Sequence, residues 1–335
     1  MKINSQEFIN KELKKAVLFL VFNRPNTTKQ VFEAIRQVKP PRLYIAADGP
    51  REGKLDEIER VKEVRKIATA VDWPCEVKTL LRDKNLGCKY AVSSAINWFF
   101  EQEEEGIILE DDCLPNLDFF SFCENLLDRY FSDERIFAIT GNNFQKGKQR
   151  GDASYYFSKY IHVWGWATWR RAWKHYQLDI NFWPKWKTSD AWTKYTPDKI
   201  ERKYWQEIFD RCYLEKIDTW DYQFLLCTWY KNGLIATPNV NLVKNIGFGI
   251  DATHTYDKSS EFSNMVTEKI GILKHPKIIE KNIQADKFVT NQHYYLRFRR
   301  FPYSLIIFYK KLRNVVYRLK SFLKKMLIKS INNKT

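Results

Sequence analysis

The stretch Gly106-Ile107-Ile108-Leu109-Glu110-Asp111-Asp112 runs from a continuous apolar segment straight into three carboxylates. Short apolar runs bounded by glycine and charge read as buried strands. In open α/β sheets, ligands bind in the crevice beyond the carboxyl ends of the strands. Carboxylate oxygens are hard donors that suit Mg²⁺ or Mn²⁺, ions usually held by one or two carboxylates together with substrate phosphates. The cluster therefore points to a metal and a diphosphate. The plainer alternative is a solvated acidic loop capping the helix that begins near Leu117.

Apolar runs and helical patterns alternate on the N-terminal side of this stretch. Residues 16–22 (AVLFLVF) close on Asn23-Arg24-Pro25-Asn26 and lead to a helix expected from a Thr27 cap to Val38. Residues 42–47 (RLYIAA) form a second strand ending in Asp48-Gly49-Pro50, followed by a charged helix over 54–71. A third strand over 75–80 precedes a helix over 88–102, and residues 106–109 form the fourth. Strands alternating with helices predict an α/β fold: an open, mostly parallel sheet with right-handed crossovers and flanking helices. A helix over 117–130 and a strand over 136–140 continue the pattern to Gly141-Asn142-Asn143.

Beyond residue 150 the composition changes, with ten of the twelve tryptophans between Trp164 and Trp229. No Gly/Ser-rich linker intervenes, so one continuous globule is expected. It comprises a nucleotide-binding half over 1–150 and a Trp-rich acceptor half over 151–295, with two or three indoles exposed because Trp is seldom fully buried. Residues 297–335 hold twelve Lys or Arg and no Asp or Glu, leaving +4 of the formal +16 for the rest of the chain. A nucleic-acid-binding surface on the body is thus not required. Within the tail, 296–335, Leu305, Phe308, Leu312, Val315, Leu319, Phe322 and Met326 recur at helical spacing among basic residues. That pattern is a C-terminal basic amphipathic helix suited to an anionic membrane surface; the plainer reading packs it on the body or on a partner.

At 335 residues and 44% apolar composition the chain can bury a full core. Six scattered cysteines, without a CxxC pair or zinc-like spacing, argue against a disulfide framework and for a reducing compartment. The N-terminus lacks a signal-type apolar stretch and no segment reaches membrane-spanning length, so the expected location is cytoplasmic, peripheral on the inner face of the membrane.

Further residues gather at the strand ends. Arg24 can pair with phosphate in a bidentate fashion, and Asp48 can accept from a base N–H or a ribose hydroxyl, or simply belong to an Asp-Gly turn. Asn85, in the loop Arg82-Asp83-Lys84-Asn85-Leu86-Gly87, suits either a nucleotide grip or turn chemistry. The clustered indoles suit the apolar faces of sugars. Asn245-Ile246-Gly247-Phe248-Gly249-Ile250-Asp251-Ala252-Thr253-His254 has the makings of a loop that orders over a diphosphate, with Gly247 and Gly249 giving close approach. His254 is a candidate metal or phosphate contact, although a single His is more often structural.

The segments VLFLVFNRP, IAADG, GIILEDDCLPNLDFFSF, FAITGNN, VWGWATWRRAW and TWDYQF, in this order over about residues 15–255, resemble the GT-A-fold inverting glycosyltransferases. Within these, the likeness is to the alpha-mannoside beta-1,2-N-acetylglucosaminyltransferase family. The resemblance implies the GT-A, nucleotide-diphospho-sugar transferase fold. It makes Asp112 the ligand of Mn²⁺ (or Mg²⁺), places Glu110 and Asp111 at ribose or donor sugar, and gives Arg24 and Asp48 to the nucleotide. Trp164 to Trp169 would be a loop beside the transferred sugar, with Gly165 and Trp166 at the donor. Asp221, in Thr219-Trp220-Asp221-Tyr222-Gln223, would be the catalytic base. Asp218 and Asp190 remain alternatives, because Lys174 to Tyr204 reads as an insertion that lengthens the path from Asp112. The implied activity moves N-acetylglucosamine from a UDP-sugar donor to a saccharide or lipid-linked saccharide acceptor in surface polysaccharide assembly. Two rivals stand beside it: a sugar-nucleotide nucleotidyltransferase of the same fold, and a non-catalytic carbohydrate-binding protein at the membrane.

Overall fold

The computed structural model describes residues 12–248 and 262–302, together with residues 305, 306, 308, 309, 311–313, 315 and 316. Strand β1 (Val17–Val21) is apolar throughout and buried at every position, as a central strand must be. It lies between β2 (Arg42–Ala47) and β4 (Glu105–Glu110), parallel to both, with β3 (Glu76–Leu81) outside β2. Helices α1 (Pro25–Val38), α2 (Leu55–Ala68) and α3 (Gly87–Gln102) make the crossovers.

One helix start differs from expectation. α1 begins at Pro25 with Arg24 as its N-cap and no side-chain cap. Proline at the first helical position has no N–H to leave unsatisfied. The Thr27 and Thr28 hydroxyls donate instead to the Arg24 carbonyl, at 3.2 and 2.7 Å.

After β4 come β5 (Cys113–Pro115), α4 (Leu117–Arg129), whose Asn116 cap accepts from the Phe119 N–H, and β6 (Ile136–Thr140). Strands β7 (Tyr155–Ser158) and β8 (Trp166–Trp169) precede the short helices α5 (Arg170–Trp173), α6 (Trp183–Trp186) and α7 (Asp190–Tyr195). Then follow α8 (Lys199–Tyr213), α9 (Asp221–Tyr230), β9 (Leu234–Pro238), β10 (Val243–Asn245) and α10 (Ile283–Gln292). The main sheet runs β3-β2-β1-β4-β8-β6-β9-β7, with β8 antiparallel to both β4 and β6, and β7 antiparallel to β9. The architecture is thus the α/β sheet expected, mostly parallel and flanked by helices. One sheet carries strands from both sides of residue 150. A separate antiparallel ribbon pairs β5 with β10, bringing Asn245 opposite Cys113.

The tryptophans depart from expectation. Trp164 is half-buried, while the other nine between Trp166 and Trp229 are buried. Trp166 stacks on Trp220 at 5.5 Å between centroids, and Trp192 on Trp229 at 6.2 Å. Helices α5 to α7 are only four to six residues long. Such short elements offer few inward positions, and large indoles fill the space that longer aliphatic faces would otherwise occupy.

A buried ion pair ties α8 to the sheet. Lys159, just past β7, bonds to Glu201 in the first turn of α8, and Tyr160 donates its hydroxyl to the same carboxylate. The described tail positions between 305 and 316 are helical and exposed, Phe308 by 65% and Leu312 by 49%, so they do not pack on the body. Among the described residues no helix is long and apolar enough to cross a membrane.

Removing one partner of a buried pair leaves an uncompensated charge, at a cost of about 3–5 kcal/mol. Lys159→Met is therefore expected to lower unfolding free energy by about that amount in urea titrations. A change below about 1 kcal/mol, as for exposed pairs, would show that Glu201 reaches solvent.

Candidate active site

The carboxyl ends of β1, β2 and β4 lie level, because Val21 is in register with Ala47 and Leu20 with both Ala46 and Glu110. Chain leaving these strands therefore meets in one cavity of about 610 Å³. From β4 come the acids. Asp111 is only 2% exposed; its Oδ2 accepts the Phe22 backbone N–H at 3.1 Å and its Oδ1 accepts Arg24 Nη2. The second arm of the same guanidinium, Nη1, donates to Asp112 Oδ2 at 2.7 Å. Burial opposes charge on Arg24, but the two aspartates outweigh it and raise its pKa further. The Arg24 fork, expected on phosphate, is thus turned onto carboxylates. Asp111, expected at ribose or sugar, ties the β1 and β4 ends together.

Asp48 performs a similar tie one strand over. Its carboxylate accepts from the Gly49 N–H at 3.0 Å, the Leu86 N–H at 3.0 Å and Asn85 Nδ2 at 2.9 Å. Burial nevertheless raises its pKa. A side chain on Gly49 would meet the Lys84 backbone at 2.5 Å, so only glycine permits this crossing of the two loops. Asp48 and Asn85 both line the cavity, joined to each other.

Another part of the cavity lining is built by α8 and the start of α9. Asp221, at the first position of α9, accepts the Thr219 hydroxyl. Asp218 accepts the N–H groups of Cys88 at 3.1 Å and Lys89 at 2.8 Å, an acid at the positive end of α3. Asp190 lies on α7, outside the cavity lining. Of the candidate bases, then, Asp221 and Asp218 reach the cavity, and Asp218 is occupied with capping.

Six carboxylates face four arginines in the described lining. The Glu110 side chain makes no hydrogen bond or ion pair among the described residues. Burial, and next the charge of Asp112, push its carboxyl up to about 8. Two like charges about 4 Å apart repel by about 4 kcal/mol at an effective dielectric constant near 20. An excess of hard oxygen donors of this kind fits a divalent cation. No set of three His, Cys, Asp or Glu among the described residues is arranged to hold one alone. The donor set therefore suits an ion shared with substrate phosphates, which needs only one or two protein carboxylates. Asp112 and Glu110 are the groups that could hold it.

Gly247 closes over the acids. The Ile246 N–H donates to the Asp112 carbonyl at 2.8 Å, and a Cβ on Gly247 would lie 2.2 Å from Asp112 Oδ2 and 2.7 Å from Arg24 Nη1. Gly249 and His254 lie outside the described residues. Gly165 and Trp166, expected at the donor, lie outside the cavity lining. Gly165 has φ +73°, and its added Cβ would meet Val243 at 2.8 Å, while Trp166 is a fully buried residue of β8. Trp166 begins β8 and Gly165 precedes it, both packed in the body of the fold; Trp164 alone of that segment's indoles lines the cavity.

Sequence reasoning passed over Arg211 and Arg51, which also line the cavity. Arg211 sits on the polar side of an amphipathic helix, where an arginine reads as solvated. Nothing in its spacing signals otherwise.

No protein-family model matches the chain, and no curated protein is similar to it in sequence. Solved structures similar to it include a UDP-glucose pyrophosphorylase complexed with UDP-glucose, at 10% identity and a TM-score of 0.35 over 68% of this chain and 90% of that one. A CMP:2-keto-3-deoxy-manno-octonic acid synthetase complexed with CTP matches at 14% identity and a TM-score of 0.38, over 71% and 94%. The glycosyltransferase GlyE of Streptococcus pneumoniae TIGR4 matches at 11% identity and a TM-score of 0.32, over 68% and 45%. Likeness this distant assigns the chain to none of their families.

Gly247→Ala is expected to displace the Asp112–Arg24 pair and lower unfolding free energy by about 1–3 kcal/mol, the usual cost of overpacking. A variant as stable as the parent in urea would show that the 245–248 segment withdraws freely from the acids.

Proposed function

We propose that the protein is a metal-dependent inverting glycosyltransferase acting on a nucleotide-diphosphate sugar. The observation that carries this reading is the presence of Asp221 in the same cavity as Glu110, Asp111 and Asp112, while Arg24 engages only the last two. An inverting transfer needs such a carboxylate, near the acids that serve the diphosphate yet apart from them.

Asp221 removes the proton of the acceptor hydroxyl as its oxygen bonds to the anomeric carbon, and the bond from that carbon to the diphosphate breaks. The Thr219 hydroxyl orients the base. Arg24 keeps Asp111 and Asp112 side by side, and Asp112 with Glu110 would hold Mn²⁺ or Mg²⁺. When bound, that ion neutralises charge gathering on the leaving diphosphate. Asp48 and Asn85 shape the wall nearest the base and ribose. The motif resemblance supports UDP-N-acetylglucosamine as donor and a saccharide or lipid-linked saccharide, in surface polysaccharide assembly, as acceptor.

The connection from β1 to α1 bears on the nucleotidyltransferase alternative. It is only Phe22, Asn23 and Arg24, with no glycine-rich basic loop, and its arginine is held by carboxylates. Formation of pyrophosphate from a nucleoside triphosphate and a sugar 1-phosphate would favour that alternative instead.

General-base catalysis contributes about 10²–10⁴-fold, so Asp221→Asn should cut the transfer rate by that factor while UDP-sugar affinity holds. Asp112→Ala should abolish the Mn²⁺-dependent rise in melting temperature with UDP. Full transfer by the first variant would assign the base elsewhere, and an undiminished shift in the second would move the metal site.

The tail's exposed apolar positions and its excess of positive charge support docking on an anionic membrane, each basic residue adding about 1 kcal/mol near the surface. Full-length protein should bind vesicles containing phosphatidylglycerol and lose that binding in Phe308→Glu/Leu312→Glu. Equal binding to neutral vesicles, or none to either, would leave a protein partner as the tail's target.

A further inference from the structure

Three of the four arginines in the described lining have partners. Arg24 is held by Asp111 and Asp112, Arg51 by Glu57, and Arg82 by Ser94 Oγ at 2.7 Å. The Arg211 side chain, exposed to solvent, makes no hydrogen bond or ion pair among the described residues. An arginine on the outer face of a helix is ordinarily solvated and needs no explanation. Arg211 differs by its place: it faces the cavity from α8, one turn beyond Ile208, where the wall continues through Ile217 and Tyr222 to Asp221.

The acids at this end have other roles. Asp218 caps α3, and Asp221 is held by Thr219. The helix carrying Arg211 is anchored at its first turn by the buried Lys159–Glu201 pair. A guanidinium that shares the cavity lining with apolar Ile208 and Ile217 matches an anion carried on a partly apolar molecule. The hydroxyls of a neutral sugar require no such charge, whereas guanidinium geometry suits phosphate and carboxylate.

We propose that Arg211 binds an anionic group, a phosphate or a carboxylate, on the acceptor. The proposal rests on the reading of Asp221 as base, which makes this end of the cavity the acceptor's. The charge has two sources: the phosphate of a lipid-linked saccharide, or the carboxylate of an acidic sugar.

The test uses full-length protein with UDP and Mn²⁺ present, so that the donor end is filled. Binding of glucose 6-phosphate, methyl glucuronide and methyl glucoside is followed by saturation-transfer NMR. The two anions should bind more tightly than the neutral sugar, and Arg211→Gln should weaken them roughly 10- to 100-fold, the loss of a hydrogen bond to a charged group. Arg211→Lys should restore part of that affinity, and the neutral sugar should change by less than about twofold, within the scatter of a neutral contact. A preference for the phosphate marks the lipid-linked source, and one for the glucuronide the acidic sugar. Equal binding of all three, or anion binding unchanged in Arg211→Gln, overturns the proposal. Transfer by the wild type is scored separately. Sugar transfer with charge-blind binding removes Arg211 alone; selective anion binding without any sugar transfer overturns the transferase reading on which it rests.

Discussion

Carboxylates crowded at one strand end repel one another, and Arg24 supplies the counter-charge that lets Asp111 and Asp112 sit together. The fork works in both directions. It makes the acidic cluster compatible with a buried β4 terminus, and it locks the residue that starts α1 to the strand beside it. Gly247 then fits over the pair so closely that its missing side chain is part of the arrangement. Asp48, Glu110 and Asp221 line the same cavity as this ionic bridge.

Much of the fold was legible because its signals were local. The strands over 42–47 and 136–140 were read at their observed limits, since continuous apolar runs ending in Asp-Gly or Gly-Asn leave little choice. The Thr27 cap expected for α1 lies three residues beyond the observed cap, Arg24, because Pro25 takes the first helical position. The segment at Trp166 to Trp169 was misread for a different reason. A four-residue strand rich in tryptophan carries no periodic signal, and only the nonlocal partners β4 and β6 make it one.

The candidate site was legible as a set of residues and not as a set of contacts. Arg24, Asp48, Asn85, the three β4 acids and Asp221 do line one cavity. Which of them meet a ligand depended on hydrogen bonds that no sequence displays: Arg24 turned toward Asp111 and Asp112, and Asn85 turned toward Asp48. Arg211 was missed because a charge on a helix's polar face looks the same whether it meets water or a cavity.

The antiparallel strand β8 gives the order of synthesis a structural meaning. Strand β4 emerges about sixty residues before the strand that covers its outer side, Glu105 pairing with Trp169 and Ile108 with Trp166. Until then the outer edge of β4 presents unpaired backbone groups, the template on which strands of other molecules add. A chain halted near residue 150 would carry that open edge permanently. The N-terminal half is thus completed by the tryptophan-rich half, and the boundary between them is not a natural place to cut.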